Sequence, residues 1–248
     1  MSKRKQNKAR ERRFVELFKS AYKGFPAGTI LADENQERPD IVVTTSQGKI
    51  GIEITALYND KLKRAESECE KAVLESRRIY EKHNLPKLYV SVHIGGENSF
   101  NRKNRSKFAA VIAKLVAANV PSVDRYVALE NDFNDPVQFP YEIDSIYIYR
   151  HSWPEENRWS APSAGLYREH FVDELQSVIS EKDSKLCGYA RDCKEQWLLI
   201  VAEHSSPSTF FDPSQRTTNH CYKSSFDKVF LLELFKVKLF ELKLVQNA

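Results

Sequence analysis

Glu37-Arg-Pro-Asp40-Ile-Val-Val-Thr44, a short turn at Ser46-Gln-Gly48, and then Lys49-Ile-Gly-Ile-Glu53-Ile-Thr55 form the stretch that decides the reading of this chain. Asp40 to Thr44 is strand-like, with Pro39 at the place where a strand tolerates proline. Lys49 to Leu57 is a second strand, and the short turn joins the two as a hairpin. Side chains alternate along a strand. Ile50, Ile52 and Ile54 therefore share one face, and Lys49, Gly51, Glu53 and Thr55 share the other. A glutamate in the middle of an isoleucine-rich strand is costly unless something offsets its charge. Asp40 starts the partner strand, so the two carboxylates converge. Two converging carboxylates suit a hard divalent cation such as Mg²⁺ or Mn²⁺.

The pattern continues outward as alternating helices and strands. Residues 9–22 predict a helix, with Phe14, Leu17, Phe18 and Ala21 on one stripe. Residues 60–83 predict a long charged helix, 88–94 a strand and 103–119 an apolar helix. Beyond these lie a strand at 144–149, a helix over 166–186, a strand at 197–202 and a final strand-led segment at 226–234. The closing run Lys236 to Leu244 alternates as an edge strand would. This order predicts one α/β domain with a central mixed sheet flanked by helices.

Pro-Asp opening one strand and an acidic (Asp/Glu)-x-Lys signature on the next resembles the PD-(D/E)xK, restriction-endonuclease-like nuclease superfamily. Glu37-x-Pro-Asp40 with Ile-Glu53-Ile-Thr55 is similar to a bacterial group within it. The resemblance implies a nuclease-like core over roughly residues 9–95. It also implies Asp40 and Glu53 as metal ligands; Glu37, three residues before Asp40, either extends that site as a supporting acid or holds Arg38. The third motif position is Thr55 rather than lysine, so the charge that would steady a reacting phosphate must come from elsewhere. Lys49 shares the strand face but lies about 13 Å along it. The helix over 166–186 offers better candidates. Its stripe Phe171, Leu175 and Val178 continues at helical spacing to Lys182 and Lys185. The alternative for both is an ordinary cation near a helix C-terminus. The superfamily often takes a further acid from the first helix. There Glu11 is better phased than Glu16.

The 248 residues carry a formal charge of +4. Lys3, Arg4, Lys5, Lys8, Arg10, Arg12 and Arg13 stand against Glu11 alone. Seven less one is +6, which leaves the remainder at −2. The sequence thus reads as a basic N-terminal arm over 1–13 and a single domain over 14–248. The arm's cations suit sequence-independent contact with phosphates. No apolar run reaches the roughly 20 residues that span a bilayer, and the charged N-terminus lacks a secretory h-region. A cytoplasmic protein without a membrane partner is expected.

Other features read more plainly. The four cysteines lack metal-site spacing and are expected to be free thiols. There is no nucleophile elbow and no glycine-rich phosphate loop. Trp153 and Trp159, near Arg158, read first as loop packing, with base stacking as the other use. Trp197 reads as core and His93 as structural. The functional expectation is a metal-dependent nuclease acting on nucleic acid, DNA before RNA, with a protein partner or homodimer left open. The alternative is an inactive module of the same fold that binds nucleic acid or a partner protein.

Overall fold

The structure is a computed structural model, which describes residues 3–31, 39–95, 103–130, 142–162, 166–188 and 192–246. Helix α1 (Lys3–Ala21) leads to β1 (Thr29–Leu31), β2 (Ile41–Thr45) and β3 (Gly48–Ala56). Helix α2 (Asp60–Glu81), β4 (Tyr89–Ile94) and α3 (Arg105–Ala118) follow. Next come β5 (Arg125–Glu130), β6 (Ile143–Arg150) and β7 (Arg158–Ser160). The last part holds α4 (Val172–Asp183), β8 (Cys193–Ala202), α5 (Gln215–Asn219), β9 (Cys221–Ser224), β10 (Lys228–Glu233), β11 (Lys238–Glu241) and β12 (Lys243–Gln246). The chain is mixed α/β and folds as two compact units. Residues 60–165 form the second, between the two segments that make the first.

The first unit is built on a six-stranded mixed sheet in the order β1-β2-β3-β8-β10-β11. The β1–β2, β2–β3 and β10–β11 pairs are antiparallel, and β3–β8 and β8–β10 are parallel. Parallel central strands covered on both faces need side chains apolar on both, and Trp197-Leu-Leu-Ile-Val-Ala202 on β8 is such a run. Its odd positions join Ile50, Ile52 and Ile54 under α1, whose Phe14, Val15 and Phe18 are buried there. Its even positions join Leu57, with Phe171 at the N-cap of α4 and Leu175 and Ile179 on that helix, on the opposite face. A parallel β9–β12 pair accompanies this unit.

The second unit has a four-stranded sheet in the order β5-β6-β4-β7. Its core joins Val90 and Val92 of β4 and Ile146 and Ile148 of β6 to Val73 and Tyr80 of α2 and Ile112 and Val116 of α3. Among the described residues no helix is long and apolar enough to cross a membrane. The four cysteines are free thiols.

Several boundaries depart from the sequence expectation for physical reasons. α1 begins at Lys3, so the basic residues of 3–13 form the first half of a helix whose second half supplies the apolar stripe. α4 begins at Val172 rather than 166, because the Arg168 backbone pairs with the segment around Phe211. The implied core over 9–95 is not one sheet. β4 pairs with β6 and β7, and the strand beside β3 is β8. β4 alternates Tyr-Val-Ser-Val-His, which suits a sheet with one open face, whereas the site beside β3 demands an apolar strand.

Phe18 is fully buried and packs on Tyr22, Phe25, Trp197 and Phe230 with ring centroids 4.7–6.3 Å apart. Phe18→Ala removes the ring on which α1 seats and is expected to cost about 3–5 kcal/mol. Chemical denaturation followed through Trp197 fluorescence measures it. A loss below about 1 kcal/mol would show that α1 is not held by this cluster.

Candidate functional site

The β2–β3 hairpin sets the geometry. Thr45 Oγ1 accepts the Gln47 N–H at 3.1 Å and donates to the Gly48 carbonyl at 2.8 Å. Gly48 takes the positive φ of +132° that the turn requires. The register pairs Ile41 with Ile52, so Asp40, one residue before β2, stands level with Glu53. Gly51 makes room for this entry. A Cβ there would meet the Gln196 side chain and come within 2.7 Å of Pro39 Cγ. The Ile-Gly-Ile-Glu pattern thus admits the buried Pro39 and delivers Asp40 beside the strand.

Asp40 Oδ2 accepts the Ile54 backbone N–H at 2.8 Å. Burial raises the Asp40 pKa from 3.8 to about 7. The Glu53 charge adds to the rise, as does that of Glu11, while the Ile54 N–H and Lys8 oppose it. Glu53 is 6 % exposed and points to the α4 side of the sheet, level with Leu198 of β8. Its Oε1 accepts from Lys182 Nζ at 2.7 Å. Its Oε2 is buried and has no hydrogen-bond partner among the described residues. Lys182 sits in the last turn of α4, on the stripe that buries Leu175 and Ile179.

α1 contributes from the other side. Lys8 Nζ lies 2.9 Å from Glu11 Oε2, 3.9 Å from Asp40 Oδ1 and 3.4 Å from the Asp40 carbonyl oxygen. The Lys8–Glu11 contact is an ion pair rather than an aligned hydrogen bond, since Glu11 Oε2 has no hydrogen-bond partner by direction. Two ammonium groups and three carboxylates therefore meet around the start of β2 and the middle of β3.

The other predicted residues fall as follows. Thr55 is half-buried on β3, two positions beyond Glu53 on the same side. Lys185 lies outside the cluster. Its amine pairs with Glu181 at 2.5 Å on the surface, because α4 ends at Asp183 and the stripe does not extend to it. Lys49 pairs with Asp192 and is also outside. Glu37 lies outside the described residues. Of the basic residues in 3–13, Arg4, Lys5, Arg12 and Arg13 are exposed, Arg10 pairs with Glu203, and Lys8 is partly buried at Asp40. The Lys8 placement was not read from sequence. The only signal was its i,i+3 spacing to Glu11.

Hard oxygen donors with an unpartnered buried Oε2 fit a divalent cation. Mg²⁺ commonly takes one or two carboxylates and completes its shell with water. Among the described residues no group of three or more His, Cys, Asp or Glu side chains gathers at ligating geometry. The fit therefore rests on Asp40 and Glu53.

The raised Asp40 pKa carries a linkage. The folded chain holds the Asp40 proton more tightly than the unfolded chain. This favourable contribution is fully present below about pH 4 and is lost as pH rises through about 7. Asp40→Asn keeps an acceptor for the Ile54 N–H and removes the charge. It is expected to raise Tm relative to wild type at pH 8, with the gap shrinking towards pH 5. Thermal melts of both proteins across pH 5–8 test this, and a gap that does not widen with pH counts against a buried, protonatable Asp40.

The chain matches no protein-family model, no curated protein and no solved structure.

Proposed function

We propose that this chain is a metal-dependent nuclease of the PD-(D/E)xK kind, hydrolysing phosphodiester bonds of nucleic acid, DNA before RNA. The observation that carries the reading is the Lys182 amine 2.7 Å from Glu53, beside a register-matched Asp40. Thr55 removes the motif lysine from β3, and Lys182 brings an equivalent charge to the same carboxylate from α4. Asp40 and Glu53 would hold Mg²⁺ or Mn²⁺. Such an ion lowers the pKa of bound water and stabilises phosphate charge.

The side chains have separable tasks. Lys182 offsets the negative charge that develops on a reacting phosphate, in a place where burial keeps the effect strong. Thr55 positions water or the lysine through its hydroxyl. Glu11 and Lys8 set the local field at Asp40. The exposed Arg4, Lys5, Arg12 and Arg13 track the phosphate backbone without reading sequence. A cation and a proton compete for Asp40, whose pKa is raised to about 7, so activity rises with pH across that value.

The test is cleavage of plasmid and single-stranded DNA with Mg²⁺ or Mn²⁺. Glu53→Ala is expected to abolish cleavage. Lys182→Ala is expected to lower kcat about 10²–10³-fold, with partial recovery in Lys182→Arg. Lys185→Ala is expected to cleave as wild type. Cleavage that survives Glu53→Ala would sink the site. Nucleic-acid binding without cleavage under any divalent ion would favour the inactive binding module instead.

A further inference from the structure

Among the described residues of the second unit, helices cover one face of the four-stranded sheet and none covers the other. Helices α2 and α3 bury the face that carries Val90, Val92, Ile146 and Ile148. On the other face the register aligns Tyr126 of β5, Tyr149 of β6, Tyr89 of β4 and Arg158 of β7 in a single row across all four strands. The next row holds Ala128, Tyr147, Ser91 and Ser160. None of these eight side chains is a leucine, isoleucine, valine or methionine. The large aliphatic groups of the sheet face inward with Trp159, and its tyrosines face out.

The rings are ordered. Tyr126 and Tyr149 stack with centroids 5.6 Å apart and planes 26° apart. Tyr149 and His151 follow at 6.4 Å and 10°, then His151 and Trp153 at 5.3 Å and 22°. Tyr89 meets His151 and Trp153 edge-on, and the Arg158 guanidinium lies 5.4 Å over the Tyr89 ring. The run is open at both ends. Tyr126 is 63 % exposed and Trp153 66 %. Large aromatic surface left in water on a folded chain marks a binding surface. Beside the row, an open groove of about 620 Å³ is lined by Arg77, Arg158, Ser91 and Ser160 together with Tyr89 and Tyr149. Arg77 pairs with Glu81, and Arg158 pairs with Glu156 at 3.6 Å. Exposed pairs of this kind are weak and exchange readily for a phosphate.

We propose that this face binds single-stranded nucleic acid, with unpaired bases extending the ring stack and phosphates meeting Arg77 and Arg158. Every nucleobase offers a π-face, so stacking is tolerant of sequence. A flat sheet suits splayed bases, and it does not enter a duplex groove as a helix or ribbon would. Three strand spacings of about 4.8 Å give the row room for two or three bases. The proposal stands on the second unit alone and does not depend on the carboxylate site.

The test uses the full chain in buffer with EDTA, so that binding is read without cleavage. Fluorescein-labelled dT12 and rU12 are titrated and followed by anisotropy, with indole quenching in parallel. Wild type is expected to bind single strands in preference to a duplex of the same length. Tyr126→Ala and Tyr149→Ala are each expected to weaken binding roughly 5- to 100-fold, whereas Tyr149→Phe retains it. Trp153→Phe is expected to remove the quenching but not the anisotropy change. Lys185→Ala, whose amine pairs with Glu181 outside both sites, leaves binding unchanged. Absence of single-strand binding by wild type, or binding unaffected by both tyrosine-to-alanine variants, overturns the proposal. So does a homodimer in sedimentation that Tyr149→Ala disperses, since the face would then be a protein interface.

Discussion

The Glu53–Lys182 pair is the constraint on which the first unit is organised. Glu53 sits in the middle of β3, in a sheet with an apolar layer on each face. A carboxylate there without a partner would be strongly destabilising, on the order of 3–5 kcal/mol when one member of a buried pair is removed. Lys182 meets that need from the end of α4, so the helix must run with its last turn over β3. The apolar stripe of α4, from Phe171 at its N-cap through Leu175 and Ile179, enforces the same placement by packing. Charge and hydrophobic burial therefore point to a single docking of α4. A sequence with only one of them would leave the helix free to slide.

α1 solves the complementary problem at the other carboxylate. Its apolar residues Phe14, Val15 and Phe18 fix the helix on the isoleucine face of β3. The turn before them then brings Lys8 and Glu11 to Asp40. The concentration of positive charge over 3–13 is thus not uniform in purpose. Lys8 is held by Asp40 and Glu11, Arg10 is engaged by Glu203, and the exposed cations lie on the rest of the helix surface. The formal charge of this segment overstates what it can offer a phosphate backbone.

The hairpin and the face of Glu53 were legible because a period of two leaves no choice about which side a residue takes. Lys182 was legible as a continuation of a helical stripe, but the same arithmetic also extended to Lys185. Only the end of α4 at Asp183 separates them, and helix ends are set by local capping and tertiary pairing rather than by periodicity. The neighbour of β3 was not legible. β8 pairs with β3 at a separation of 145 residues, as in Ile52 with Trp197, and β4 follows β3 far sooner, so proximity in the chain favoured the wrong strand, although the continuous apolar run of β8 carried the signal for double-sided burial. The aromatic row escaped for a related reason. Tyr126, Tyr149 and Tyr89 come from three strands, one of them unassigned from sequence, and no single segment contains the pattern. Trp153 and Arg158 read from sequence as loop residues first, with base stacking as the other use, and nothing local ties them to the tyrosines.

The surroundings of Asp40 explain why its carboxyl holds a proton up to about pH 7. Three carboxylates meet two ammonium groups, so a fully ionised cluster carries one negative charge more than it can offset. Glu53 has Lys182 at contact distance, and Glu11 has Lys8 at 2.9 Å. Among the described residues Asp40 has a backbone N–H at contact distance, with Lys8 shared at 3.9 Å. Burial is the main reason that the Asp40 pKa rises to about 7, and the neighbouring Glu53 and Glu11 charges add to it. Near neutral pH the cluster relieves itself by taking up a proton at that carboxyl. In the proposed reading Asp40 and Glu53 would hold a divalent cation, which would supply positive charge in place of that proton. The burial and like charge that raise the Asp40 pKa are also what a divalent cation would relieve, so proton and cation would compete for that carboxyl.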